Sequence, residues 1–312
     1  MIETDIGWEM LLDPRTSGAV LSTARRRKRS HTRSRKRRSG GVARHFGLIL
    51  LAALFALPIY LCVVVASHPA ADLLRGVPLL PAGQLGSNFS TLTRGIPDTP
   101  KLTSMLENSA VMALGVTLLK LALSIPAAYA VSFFRFPGRL LMFGLIFVTL
   151  MMPIEVRFFP TYAVTANLGL LDTQAGLILP LVASATAVFL LRQYFRAFPS
   201  ELADAARLDG VGPIRFLVSV VLPLARPTLA ALAVLEFIYG WNQYLWPLLV
   251  ASSLKRATVV MGVKGLIGAA QSFAVPQWDL VMVLALVALI PPVLVVVVMQ
   301  RWFVRGLMSG IN

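Results

Sequence analysis

This 312-residue chain has little charge: 14% of its residues are Asp, Glu, Lys or Arg, against 57% hydrophobic, and the mean hydropathy is +0.75. Water-facing domains carry about 25% charged residues, so the shortage excludes an ordinary soluble fold. There is a single cysteine, Cys62, inside an apolar run, which excludes an internal disulfide and a multi-cysteine metal site. The three histidines, His31, His45 and His68, lack metal-ligand spacing. No G-x-x-x-x-G-K-[ST] loop occurs, so the chain has no nucleotide-phosphate cradle of that kind. No Ser/His/Asp set falls on one predicted surface. Glu201, Asp204 and Asp209 form the one acidic cluster a membrane enzyme would use, and helix capping accounts for their spacing better.

Long apolar runs are plentiful. They lie near 46–66, 104–134, 140–163, 175–197, 224–250 and 279–300, each close to the ~20 residues that span a bilayer. Strand-like alternation is absent, and backbone groups in lipid must be paired within the segment, so these are predicted helices. The expectation is an all-α polytopic membrane protein with six transmembrane helices over 45–312. Every span contains or abuts a proline: Pro58, Pro126, Pro153 and Pro160, Pro180, Pro227 and Pro247, Pro291 and Pro292. Each removes a backbone donor and favours a kink.

The net charge of +15 is uneven. Residues 1–44 hold 12 Lys/Arg and 4 Asp/Glu, mostly within ARRRKRSHTRSRKRRSGG. That stretch is too poor in apolar residues to build a core and reads as a disordered basic cytoplasmic tail that leans on anionic lipid, not as a nucleic-acid binder. With the tail inside, the inner loops hold nine further Arg residues and the outer loops six Lys/Arg. The positive-inside bias then puts both termini in the cytoplasm.

Between the fourth and fifth spans lies ELADAARLDGVGPIRFLVSVVLP, residues 201–223. Ser200 is placed to cap a short helix, with Glu201 in its first turn. Leu202, Ala205 and Ala206 are predicted on one face, and Asp204 and Arg207 are spaced as an i,i+3 pair. Gly210 suits a left-handed stop, and Pro213 suits a restart at the first helical position. Ile214, Leu217, Val218 and Val221 suit an interfacial helix leading to Pro223. These features describe either an ordinary loop helix or a docking element that a partner approaches closely.

Asp204-Ala205-Ala206, then Gly210 after three residues, then Val220, Leu222 and Pro223 after nine more, resembles the EAA signature of ABC importer permeases. Asp stands for Glu at 204 and Val for Ile at 220. From Thr149 onward the chain is also similar to the second permease of sn-glycerol-3-phosphate (Ugp-type) importers. The stretches MMPIEVRFFPTY (151–162), LVASATAVFLLRQYF (181–195), FIYGWNQYLWPLL (237–249) and VMQRWFVRGL (298–307) carry that likeness. The resemblance implies a type I importer permease fold in the bacterial cytoplasmic membrane. It implies a coupling loop over 198–223, with Glu201, Asp204, Ala205, Ala206, Gly210, Leu222 and Pro223 engaging an ATPase. The implied partners are a second permease, two ATPase subunits and an extracytoplasmic binding protein. ATP and Mg would sit on the ATPase, with no cofactor on this chain and no enzyme activity of its own. The implied cargo is sn-glycerol-3-phosphate or a glycerophosphodiester, against a neutral sugar as the alternative. A self-contained secondary transporter or channel is a more distant class, and no inverted repeat supports it.

Ionisable residues at membrane depth are candidates for a transport path. Glu155 and Arg157 fall near the outer end of the third predicted span, and Trp241-Asn242-Gln243-Tyr244 reaches a similar height in the fifth. A guanidinium suits phosphate oxygens, so one reading gives Arg157 a substrate phosphate and Asn242 or Gln243 its hydroxyls. The other has Arg157 reach headgroups or pair with Glu155, and the aromatics form an interfacial belt. Lys120 and Glu236 are expected to pair, as a structural ion pair ahead of a substrate contact.

Overall fold

The structure is a computed structural model that describes residues 39–97, 99–152, 154–270 and 277–308. The basic tail expected over 1–44 therefore lies largely outside the described residues. Every regular element among those described is helical. In chain order they are α1 (Ser39–Ala66), α2 (Ala70–Leu73), α3 (Leu85–Arg94), α4 (Leu102–Phe133), α5 (Arg139–Met151), α6 (Ile154–Asn167), α7 (Gln174–Ile178) and α8 (Ala185–Arg196). Then follow α9 (Ser200–Leu208), α10 (Pro213–Phe216), α11 (Leu222–Leu224), α12 (Arg226–Trp241), α13 (Leu245–Val250), α14 (Val259–Ala270) and α15 (Trp278–Met308).

The chain divides into two units, Met1–Ala53 and Leu54–Asn312, with the boundary inside α1. In the first unit, the helical residues from Arg44 onward are exposed, apolar ones included.

The second unit is organised around α4, a 32-residue helix about 48 Å long at 1.5 Å per residue. It packs against α8 and α12, and α12 packs in turn against α15. Closest approach occurs where Gly240 of α12 faces α4: a Cβ there would lie 2.9 Å from the Ala113 Cα, so only glycine lets the backbones meet. Three apolar clusters follow one another along α4. Leu102, Met105 and Ala113 pack with Phe237, Trp241 and Leu284 at its start. Met112 and Val116 pack with Leu177, Trp246 and Val250 in the middle. Ala128 and Tyr129 pack with Leu191, Phe195 and Phe216 at its end.

Among the described residues, three helical segments are long and apolar enough to cross a membrane: Arg44–Ala66, Leu102–Phe133 and Trp278–Gln300. Two more qualify as bent pairs, Gln174–Leu181 with Ala185–Arg196 at 46° and Pro213–Leu224 with Arg226–Trp241 at 79°. The segment predicted as one span over 140–163 is two helices, α5 and α6, parted at Met152. The run predicted over 224–250 is α12 and α13, parted at Asn242–Tyr244. Prolines mark several of these irregularities. Pro180 lies in a 3-10 turn, and Pro227 gives no N–H to the Pro223 carbonyl where the 79° bend occurs.

Candidate functional site

The elbow over 199–224 is built on the C-terminal end of α4. Tyr129 Oη donates to the Pro213 carbonyl at 3.0 Å, which pins the restart of the chain at α10. Tyr194 Oη donates to the Leu224 carbonyl at 2.9 Å, which pins its return toward α12. Under the elbow, Tyr129, Phe133, Phe195, Phe198 and Phe216 form a cluster of tilted and edge-to-face rings with centroids 5.0–6.5 Å apart.

Helix α9 begins at Ser200 itself, with Pro199 before it and no side-chain cap, so the expected Ser200 N-cap does not form. The proline already holds extended backbone at the capping position, which moves Ser200 inside the first turn. The far end is as predicted. Gly210 has φ +68, its N–H bonds the Arg207 carbonyl at 3.1 Å, and the Val211 N–H bonds the Ala206 carbonyl at 2.9 Å. That pair of bonds is a Schellman stop, and it requires the left-handed residue that glycine supplies without strain.

The predicted grouping of Leu202, Ala205 and Ala206 on one face is corrected. Ala206 turns inward with Ala203 onto the aromatic cluster, while Leu202 and Ala205 face outward with Glu201 and Asp204. Successive helical residues diverge by about 100°, so adjacent alanines serve two surfaces. Leu208, 90% exposed, crowns the outer face. Asp204 and Arg207 pair at 2.9 Å with both side chains exposed, a contact of small energetic weight. Beyond the stop, Ile214 and Val218 are exposed while Leu217 and Val221 pack inward, so the predicted single apolar face is divided. Residues 217–221 form a π-helical turn; Val220 within it and Leu222 and Pro223 after it are half-buried.

At mid-height of the bundle Lys120 Nζ meets Glu236 Oε2 at 2.8 Å, with side chains 5% and 7% exposed. The structure adds two partners that sequence reasoning missed. Ser184 Oγ donates to Glu236 Oε1 at 3.0 Å, and Lys120 Nζ lies 3.6 Å from the centre of the Tyr239 ring. Both carboxylate oxygens are thus satisfied, and the ammonium gains a cation–π contact. The only sequence signal for Ser184 was the helix break after Pro180, where a serine caps α8 through the Ala187 N–H.

The candidate transport-path residues separate. Trp241 is buried, stacks on Phe237 at 6.0 Å and donates to the Ala288 carbonyl at 3.0 Å, so it is a packing residue between α12 and α15. Asn242 is exposed at the break, Gln243 Nε2 donates to the Tyr239 carbonyl at 3.2 Å, and Tyr244 lines a cavity of about 370 Å³ at the α3 end of the bundle. Arg157 is exposed on α6. The Glu155 side chain lies outside the described residues, and with it the Glu155–Arg157 pairing. Near Tyr244, Asp172 has a left-handed backbone, φ 56, and its Oδ1 accepts from the Ser253 hydroxyl and the Ser252 and Ser253 N–H groups at 3.0–3.1 Å. The Ser253 hydroxyl bond first, then the backbone N–H bonds, hold the Asp172 carboxyl below its ordinary pKa.

No group of three or more metal-ligating side chains occurs among the described residues. What the geometry offers is a small helix braced from behind and bare in front, joined through the Gly210 stop and the α10–α11 turn to a bundle with broken spans. Residues 120–309 match the model of the family described as binding-protein-dependent transport system inner membrane component. The chain belongs to that family. Its overlap with individual relatives is nearly end to end. The permease is 47% identical over 272 residues to the "sn-glycerol-3-phosphate transport system permease protein UgpE" of Agrobacterium fabrum, covering 86% of this chain and 96% of that one. It is 49% identical over 270 residues to the protein of that name in Yersinia pestis (85% and 95% covered), and 45% over 278 residues to that of Rhizobium meliloti (88% and 98%). Its fold is that of a solved bacterial ABC transporter involved in the import of the acidic polysaccharide alginate, at a TM-score of 0.72 and 23% identity over 86% of this chain and 98% of the other. The permease is therefore an inner-membrane component of a binding-protein-dependent transport system.

Proposed function

We propose that this permease takes up sn-glycerol-3-phosphate or a glycerophosphodiester as one membrane-spanning subunit of an ATP-driven importer. The observation that carries the reading is the 45–49% identity, sustained over more than four-fifths of this chain, to permeases named for sn-glycerol-3-phosphate transport. A second permease, two ATPase subunits holding ATP and Mg, and an extracytoplasmic binding protein complete the machine. The chain crosses the membrane six times, counting α1, α4, α5 with α6, α7 with α8, α12 with α13, and α15. Both termini and the α9 elbow are cytoplasmic, supported by the excess of arginine on that side.

The elbow is the coupling element. Glu201, Leu202, Asp204, Ala205 and Leu208 form the surface offered to the ATPase, with Ala205 small enough for close approach. Ala206, Gly210, Leu222 and Pro223 fix that surface to the bundle. Closure of the ATPase dimer pushes on α9, and the aromatic cluster beneath passes the push to α4 and α8 as a rigid-body movement. On the outer side Arg157 meets the phosphate, and Asn242 or Gln243 orients the hydroxyls.

The test is uptake of radiolabelled sn-glycerol-3-phosphate by cells carrying the chain with a second permease, an ATPase and a binding protein, against a strain lacking this chain alone. Uptake that vanishes in the deletion and is competed by glycerophosphocholine supports the assignment. Uptake that persists, or competition by neutral disaccharides instead, refutes it.

A further inference from the structure

Beside the elbow, at the same end of the bundle, is a cavity of about 450 Å³ between the α4–α5 turn, the end of α8 and the start of α9. Five arginines line it, Arg135, Arg139, Arg192, Arg196 and Arg207, against one carboxylate, Asp204. Asp204 is already paired with Arg207. Among the described residues none of the other four has a carboxylate within ion-pair distance; the ion pairs there are Lys120–Glu236 and Asp204–Arg207.

Two of the four are held in place without being neutralised. Arg139 Nη1 donates to the Phe134 carbonyl at 3.1 Å. The Arg192 guanidinium lies 3.7 Å from the centre of the Phe143 ring, and its buried Nε–H has no acceptor. A buried donor without an acceptor is destabilising, and like charges crowded into one cavity repel. Folding retains such a cluster at low cost when an anion completes it, and a guanidinium fork matches phosphate oxygens.

The mouth of the cavity indicates what carries the anion. Leu140, on its rim, and Leu141, next in the chain, are each 69% exposed. They continue into the exposed apolar side of α5, through Leu145 and Val148. A soluble anion has no use for that surface, whereas an acyl chain would cover it.

We infer that the arginine cavity binds the phosphate headgroup of an anionic phospholipid, with its acyl chain along α5. Because α9 forms one wall, the bound lipid fixes the elbow's position on the bundle. Only the membrane placement of α9 is needed here, not the identity of the cargo, so the test reads lipid and not uptake.

The full chain is purified with its accompanying subunits in mild detergent, and native mass spectrometry follows added phosphatidylglycerol against phosphatidylcholine. Phosphatidylglycerol is expected to stay bound at least tenfold better. Arg192→Gln with Arg196→Gln removes that preference, and Arg192→Lys with Arg196→Lys restores part of it. Matching elution and melting profiles of the variants show that folding is intact. Inorganic phosphate at equal concentration should not displace the lipid. Equal retention of both lipids overturns the assignment, as does undiminished binding by the glutamine variant. Displacement by inorganic phosphate assigns the site to a soluble anion instead. Loss of ATPase association with lipid retention unchanged assigns it to protein docking.

Discussion

Lys120 and Glu236, 116 residues apart in the chain, meet at 2.8 Å inside the bundle, and Ser184 closes the other carboxylate oxygen. One pair thereby ties α4, α8 and α12 together at the level where lipid would surround them. Removing one partner leaves a buried charge alone, at a cost of about 3–5 kcal/mol. Lys120→Met or Glu236→Leu singly is expected to lower the melting temperature in detergent sharply and to reduce membrane levels. The double variant should recover much of the loss. Singles as stable as the parent would show that the site is hydrated and the pair unimportant.

Gly240 is where α12 comes closest to α4. Gly240→Ala drives a methyl to 2.9 Å from the Ala113 Cα, which neither backbone can yield cheaply. Overpacking of this kind costs about 1–3 kcal/mol. A lowered thermal midpoint is expected, with Gly265→Ala, which meets nothing within 4 Å, as the neutral control.

The two adjacent alanines of α9 should respond differently. Ala205→Asp, on the exposed face, is expected to abolish ATP-driven uptake and ATPase association while the purified permease melts normally. Ala206→Asp buries a carboxylate against aromatic rings and is expected to destabilise the permease itself by at least about 2 kcal/mol. Gly210→Pro removes the N–H that bonds the Arg207 carbonyl and cannot adopt φ +68, so it should disrupt the elbow and coupling together. Uptake and association unchanged in Ala205→Asp and Gly210→Pro would end the coupling assignment for α9.

Arg157→Gln, at normal membrane levels, is expected to raise the KM for sn-glycerol-3-phosphate about tenfold, the scale of one charged hydrogen bond. Unchanged kcat and KM would remove Arg157 from the substrate path and leave it a headgroup contact.

Asp172 gives a pH signature. Its carboxyl is held below the ordinary aspartate value in the folded protein, so the unfolded chain takes up the proton first. The contribution is complete above the unfolded pKa, about 3.9. It is lost as the pH falls through the lowered folded value. Asp172→Asn should therefore reduce the melting temperature at pH 7, and reduce it by less at pH 3. An equal loss at both would mean that the side-chain amide's geometry, not its charge, matters.

Much of this permease follows from local rules. The apolar runs required helices because lipid offers backbone groups no other partner. Gly210 required a left-handed turn, Pro213 a restart, and the signature spacing through Pro223 placed the chain in its family. Pro180 and Pro227 foretold where spans bend, though not by 46° and 79°.

Other features depended on three-dimensional neighbours. A pattern cannot say which alanine of a pair faces inward, because that depends on where Tyr129 and Phe133 of α4 lie. Trp241 reads the same in sequence whether it lines a path or packs, and the Ala288 carbonyl on α15 decided for packing. The arginines at 135, 139, 192, 196 and 207 all counted toward a diffuse cytoplasmic charge excess, Arg207 also as a partner for Asp204. Folding gathers them around one cavity, because the α4–α5 turn and the α8–α9 junction meet there. Sequence alone determined what each segment must be, since hydrogen-bond satisfaction and chain stereochemistry are local. Tertiary structure decided which charges and faces meet, since contacts between residues far apart in the chain exist only once the helices have packed.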